Sequence, residues 1–289
     1  MKVANLLARA VAIGCVAGGS LLVAVPAAPA VESAAPAPLV ANLTRVSATS
    51  ASNSVNKSVT VSCPAGLVVY GPGGQLTGGV GNVVLDAVIP STTTVTARGV
   101  ENGAYATNWT VTAFAVCGSP TTNHQVVRFA SATNGTTPKN AQVDCPGTTR
   151  VFGTGFAITG AAGQIFPDRV SPDSNLNLVV ARAARDVDST STATWNIAAY
   201  AVCANPASGM ELITESVLPS STSPKTVTPT CSAGKQLHGV GVLHTAVGNA
   251  VTDDFVPGST LTSATLTVYE NPPDFAGNWS ITGHAICAF

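Results

Sequence analysis

Apolar and polar positions alternate with period two along most of the chain, and three segments do so in the same register. Trp109, Val111, Ala113, Ala115 and Cys117 share one parity, and Thr110, Thr112, Phe114 and Val116 share the other. The same split runs from Trp195 to Cys203 and from Trp279 to Cys287. Successive side chains of a strand point to opposite faces, so each segment reads as a β-strand whose Trp-bearing face is core. Lys57, Val59, Val61 and Cys63 alternate with Ser and Thr in the same manner. Leu39–Ser47, Val83–Ile89 and Thr93–Gly99, with their later copies, are further strands, punctuated by Gly, Pro, Asn and Ser. Beyond residue 30, no 11-residue window carries a helical period.

Overlaying the strands gives three copies of one unit. A lysine stands six residues before the first cysteine each time: Lys57/Cys63, Lys139/Cys145 and Lys225/Cys231. A tryptophan stands eight before the closing one: Trp109/Cys117, Trp195/Cys203 and Trp279/Cys287. Between them recur a Gly-x-Gly (Gly71-Pro-Gly73, Gly153-Thr-Gly155, Gly239-Val-Gly241) and an aspartate four residues before a proline (Asp86/Pro90, Asp168/Pro172, Asp253/Pro257). The chain divides into repeats at 39–119, 120–205 and 206–289, each of six or seven short strands. The expected fold is all-β, three tandem antiparallel sandwich-like units. Separate beads and one joint body remain open alternatives.

The first thirty residues differ in kind. Lys2 and Arg9 open them, an apolar run from Val11 to Val25 follows, and Ala28-Pro29-Ala30 ends them. That is the pattern of a secretory signal peptide cleaved after Ala30, with an Ala/Pro leader at residues 31–38. No later run is long enough to span a bilayer. Removal of Cys15 with the signal leaves six cysteines, and an even count in an exported chain implies disulfides. Pairing within each repeat (Cys63–Cys117, Cys145–Cys203, Cys231–Cys287) is the economical reading, each bridge stabilising its unit by about 3–4 kcal/mol. Without Lys2 and Arg9 the chain keeps eleven basic against fourteen acidic side chains, a net charge of −3. So sparse and slightly acidic a surface excludes nucleic acid and anionic membranes as partners, both of which need clustered Lys and Arg.

Cys63-Pro-Ala-Gly66, Tyr70-Gly-Pro-Gly73 and Trp109 to Cys117, with their copies, resemble a repeat of secreted actinobacterial proteins of unassigned role. The resemblance covers nearly the whole exported chain and implies export and a β fold, but no activity. Three repeats with Cys-Pro openings and strand-borne closing cysteines are also similar to the vitelline membrane outer layer proteins. That likeness implies units packed around a pseudo-threefold axis as a β-prism. The repeats here are longer, and that family's further motifs are missing.

Candidate chemistry is thin. Asp86, Asp168 and Asp253 are the sharpest candidates, because few charged positions recur in all three copies. Placed in loops, such carboxylates would accept hydrogen bonds from sugar hydroxyls or share a calcium ion. The structural reading has each aspartate holding its own turn or pairing with the lysine of its repeat. His238, His244 and His284 all fall in the third repeat and suggest zinc. However, they replace Tyr70/Phe152, Leu76/Ile158 and Phe114/Tyr200, which points to packing residues. Gly-x-Gly here precedes no helix or lysine and reads as close strand packing rather than a phosphate loop. Asp186-Val-Asp188-Ser-Thr190 lacks the Gly and Glu of an EF-hand. No Gly-x-Ser-x-Gly, His-Glu-x-x-His, free cysteine or positionally recurring glutamate marks a catalytic centre or cofactor. The expectation is a secreted, non-catalytic protein that binds extracellular polysaccharide or cell envelope through its repeats, or else a structural or protein-interaction module.

Overall fold

The computed structural model describes residues 39–273 and 275–289. The expected signal peptide, its expected cleavage site after Ala30 and the expected Ala/Pro leader lie outside them. Among the described residues there are eighteen strands and no helix. The first repeat folds as β1 (Thr44–Thr49), β2 (Lys57–Ser62), β3 (Val68–Thr77), β4 (Val83–Pro90), β5 (Thr94–Glu101) and β6 (Thr110–Gly118). The second gives β7 (Gln125–Ala130), β8 (Lys139–Asp144), β9 (Arg150–Thr159), β10 (Ile165–Pro172), β11 (Leu178–Arg185) and β12 (Asn196–Ala204). The third gives β13 (Glu211–Ser220), β14 (Lys225–Val227), β15 (Gln236–His244), β16 (Ala250–Pro257), β17 (Ala264–Glu270) and β18 (Trp279–Ala288).

Each repeat is a pair of three-stranded leaves, β1-β6-β3 and β2-β5-β4 in the first. The expected strand at Leu39–Ser47 starts later, at Thr44. Val40 instead joins a buried apolar cluster with Tyr70 and Phe152. The Trp-bearing face is core: Trp109, Val111, Ala113 and Ala115 are buried against Val61, Leu85, Val95 and Ala97 of the facing leaf. One disulfide ties the two leaves of each repeat, Cys63–Cys117, Cys145–Cys203 and Cys231–Cys287.

The repeats are not beads. Every sheet has six strands, three from one repeat and three from another: β2-β5-β4-β9-β12-β7, β8-β11-β10-β15-β18-β13 and β14-β17-β16-β3-β6-β1. The three junctions use equivalent residues. Ala87 and Val88 pair with Ala157 and Phe156, Arg169 and Val170 with Leu243 and Val242, Asp254 and Phe255 with Gln75 and Gly74. The first repeat thus joins the second, the second the third, and the third the first.

The Gly-x-Gly motif makes this closure possible. β3, β9 and β15 meet in a central seam. In each, the residue before the motif is the extra residue of a β-bulge: Tyr70, Phe152 and His238. Their rings pack edge to face, with centres 5.2 Å apart for Tyr70–Phe152, 5.4 Å for Phe152–His238 and 6.0 Å for Tyr70–His238. A Cβ on Gly71 would overlap the carbonyl oxygen of His238, one on Gly153 that of Tyr70, and one on Gly239 that of Phe152. The second glycine of each motif faces the recurring proline of a neighbouring repeat: Gly73 faces Pro257, Gly155 faces Pro90 and Gly241 faces Pro172. Gly-x-Gly and Asp-x-x-x-Pro are therefore two halves of one joint.

Gly153→Ala is expected to cost about 3 kcal/mol, the upper end of the overpacking range, because backbone rather than a side chain must move. Gly135→Ala, whose Cβ would meet only Thr192 O at 3.6 Å, should stay within about 0.5 kcal/mol of the parent. Denaturant unfolding of both variants checks the contrast, and equal losses would contradict the seam.

Candidate functional site

The recurring lysines and tryptophans close each sandwich. Lys57, Lys139 and Lys225 lie on the edge strands β2, β8 and β14. Each ammonium sits over the indole of its own repeat, 3.5 Å from the centre of Trp109, 4.7 Å from Trp195 and 4.7 Å from Trp279. Lys57 donates to the carbonyls of Asn53 and Trp109, Lys139 to those of Ala132, Asn134 and Trp195, and Lys225 to the hydroxyls of Ser220 and Thr222. This pairing, and not an Asp–Lys pair, explains the constant spacing of Lys and Trp from their cysteines.

The aspartates do not sit in loops. Asp86, Asp168 and Asp253 are the extra residues of bulges within β4, β10 and β16, each buried. A bulge puts two residues opposite one and turns a side chain out of the alternation. Asp86 accepts Nε and Nη2 of Arg98 at 2.7 and 3.0 Å, and Arg98 also donates to Ile158 O across the joint. Asp168 accepts Nε of Arg182. The register places these arginines opposite the residue after the aspartate (Ala87↔Arg98, Arg169↔Arg182); the third repeat has Thr267 there, opposite Asp254. Asp253 therefore has no guanidinium. Burial, reinforced by the charge of Asp254, pushes its carboxyl up to about 8. Asp86 rises to about 6, burial outweighing Arg98.

The histidines go to separate environments, and among the described residues no three metal-ligating side chains come together. His238 joins the seam. His244 is fully buried beside Trp279 and bonds Pro167 O through Nε2 at 3.1 Å. His284 faces the other side of β18, where Nδ1 meets the hydroxyl of Thr214. At the positions equivalent to His284, Arg45 covers the Phe114 ring and Arg128 bonds the Tyr200 hydroxyl. Burial lowers His238 and His244 to about 4.

A groove of 680 Å³ opens on the third repeat, lined by Tyr269, Phe275, Glu270, Ser221 and Ser223, with Val80 of the first repeat. Glu270 is fixed from two sides. Its Oε1 accepts the indole N–H of Trp279 at 2.6 Å, and its backbone N–H donates to Ser223 Oγ at 2.9 Å. Tyr269 stands where the first repeat has Val100 and the second Ala184, so this aromatic side chain belongs to the third repeat alone, whereas Phe275 has a counterpart in Tyr105. Burial, Asp253 and Asp254 together raise its phenol above the ordinary value. The register also corrects the reading of the glutamates: Glu101 and Glu270 do recur, each accepting the indole N–H of its repeat, with Arg185 between them in sequence order. No family model and no curated protein matches the chain.

Two pH dependences follow. Asp253 has a folded pKa above its ordinary 3.8, so its burial costs nothing below that value and increasingly destabilises as pH rises through about 8. Asp253→Asn should leave Tm unchanged at the acid end and raise it progressively towards the alkaline end. The buried histidines act in the opposite sense: their stabilisation is present above 6.5 and lost as pH falls through about 4. His244→Leu, the residue type of Leu76, should flatten that acid loss. Thermal scans across this range check both, and a pH-independent difference from the parent in either variant would contradict the assignment.

Proposed function

We propose that the protein is an exported, non-catalytic glycan-binding protein whose repeats build the body and whose third repeat carries the contact surface. The observation that carries this reading is the groove: two aromatic side chains, a fixed carboxylate and two hydroxyls in one hollow. A sugar ring offers an apolar C–H face and a belt of hydroxyls, and a concave apolar site with a few placed polar groups matches both. Three disulfides fit an oxidising, extracellular setting, as does the signal peptide expected to end at Ala30. Among the described residues no helix is long and apolar enough to cross a membrane. This reading puts the contact in the groove and not at the recurrent aspartates, which are buried, Asp86 and Asp168 in ion pairs, although Asp86 and Arg98 line a smaller hollow of their own.

One observation favours the rival reading, a structural or protein-interaction module: the recurring Lys, Trp and Gly-x-Gly positions all serve the fold. Pull-down of the exported chain on insoluble chitin, cellulose and bacterial cell wall separates the two. Retention on one polymer is expected, falling about tenfold, or 1.4 kcal/mol, in Tyr269→Ala or Phe275→Ala, and unchanged in Asp253→Asn. No retention on any polymer, or loss confined to the aspartate variant, would overturn the groove assignment. Self-association without retention would establish the rival.

A further inference from the structure

The three repeats treat one buried group differently. In the first and third, the indole N–H donates to a glutamate, Trp109 to Glu101 at 2.8 Å and Trp279 to Glu270 at 2.6 Å. In the second repeat the same register position holds Arg185: Ile165↔Arg185 corresponds to Val83↔Glu101 and Ala250↔Glu270. An acceptor has been replaced by a donor. Trp195 is fully buried, and its Nε1 has no hydrogen-bond partner. Nη1 of Arg185 is likewise buried without one, while Nη2 donates to Ala193 O at 2.7 Å. A buried N–H without an acceptor costs about 1–3 kcal/mol, more when charged.

Charge points the same way. Lys139 lies over the Trp195 ring, and the register puts Arg185 at the position from which the sister repeats' glutamates reach their indoles. Burial and the charge of Arg185 both depress the Lys139 ammonium pKa. Among the described residues no carboxylate forms an ion pair with either. The adjacent Asp186 faces elsewhere: its Oδ2 accepts the amides of Asn102 at 3.3 Å and Asn271 at 3.4 Å, and its Oδ1 the backbone N–H of Asp188 at 3.0 Å. The sister repeats supply the missing species, a carboxylate oxygen.

We propose that the second repeat binds a small monovalent anion, a carboxylate such as formate or a chloride ion, between the Arg185 guanidinium and the indole N–H of Trp195. The anion takes the place that the glutamate side chain fills in the other two repeats. Neither nitrogen is open to solvent in the closed arrangement. Entry therefore takes a rotation of the half-buried guanidinium, next to the exposed Val187 and Asp188. The site is independent of the groove and of its glycan reading.

The test is a titration of the ¹⁵N-labelled full chain in low-salt buffer with sodium formate and, separately, sodium chloride, following the three indole N–H resonances. The Trp195 resonance is expected to shift to saturation with one salt or both, which identifies the anion, while those of Trp109 and Trp279 stay in place. Arg185→Glu restores the sister arrangement, so its Trp195 resonance should not respond, and its Tm should exceed that of the anion-free parent. If neither salt gives a saturating shift, or if all three indoles shift together, the proposal is overturned. An equal Trp195 shift in Arg185→Glu would overturn it too. The two internal reference indoles keep the parent titration decisive even if the variant does not fold.

Discussion

At the centre of the molecule, strands from three repeats run so close that glycine Cα lies against a neighbour's carbonyl oxygen. Any Cβ at Gly71, Gly153 or Gly239 would overlap His238, Tyr70 or Phe152. The rest of the architecture depends on this contact. Bulges at the preceding residues turn three rings onto one another and cap the seam. The close approach lets each sheet pass from one repeat to the next, as with β4 onto β9. No repeat owns a complete sheet, so the leaf at each joint has its hydrogen-bonding edge satisfied only by another repeat.

Positions that recur and positions that differ have separate roles. The recurring Lys, Trp and Cys hold the two leaves of one repeat together, while the recurring Gly and Pro hold repeats to one another. Function has to be sought where a repeat departs from its sisters. Tyr269 in place of Val100 and Ala184 walls the groove, and Arg185 in place of Glu101 and Glu270 leaves an indole N–H unanswered. Thr267 in place of Arg98 and Arg182 leaves Asp253 without a counter-ion.

Much of the strand order was legible because period-two alternation and the offsets from cysteine are local properties. The disulfides followed from the repeat. The joints were not legible, because overlaying repeats shows which residues are equivalent but not which strand pairs with which. Bulges hid more. An extra residue at Asp86, Asp168 and Asp253 breaks the alternation just before a proline, and that combination reads as a loop. Glu101 and Glu270 were missed because the Cys-to-Cys spans differ, 54, 58 and 56 residues, so counting from the cysteines misaligns the repeat ends. The groove left only a faint signal, Tyr269 beside Pro272-Pro273; the other aromatic residue, Phe275, stands four before Trp279 just as Tyr105 stands four before Trp109.

The central claim is that the repeats fold only as a closed set of three. Its most direct measurement is the ¹⁵N–¹H spectrum and sedimentation of a chain truncated after Asn205, oxidised to its two remaining disulfides. Without the third repeat, β3 and β10 each lose their cross-repeat partner and the seam keeps only one of its three glycine–carbonyl contacts, Gly153 against Tyr70. The account predicts a collapsed, poorly dispersed species, or an oligomer that borrows strands from another copy. A well-dispersed two-repeat monomer with both tryptophans buried would contradict it.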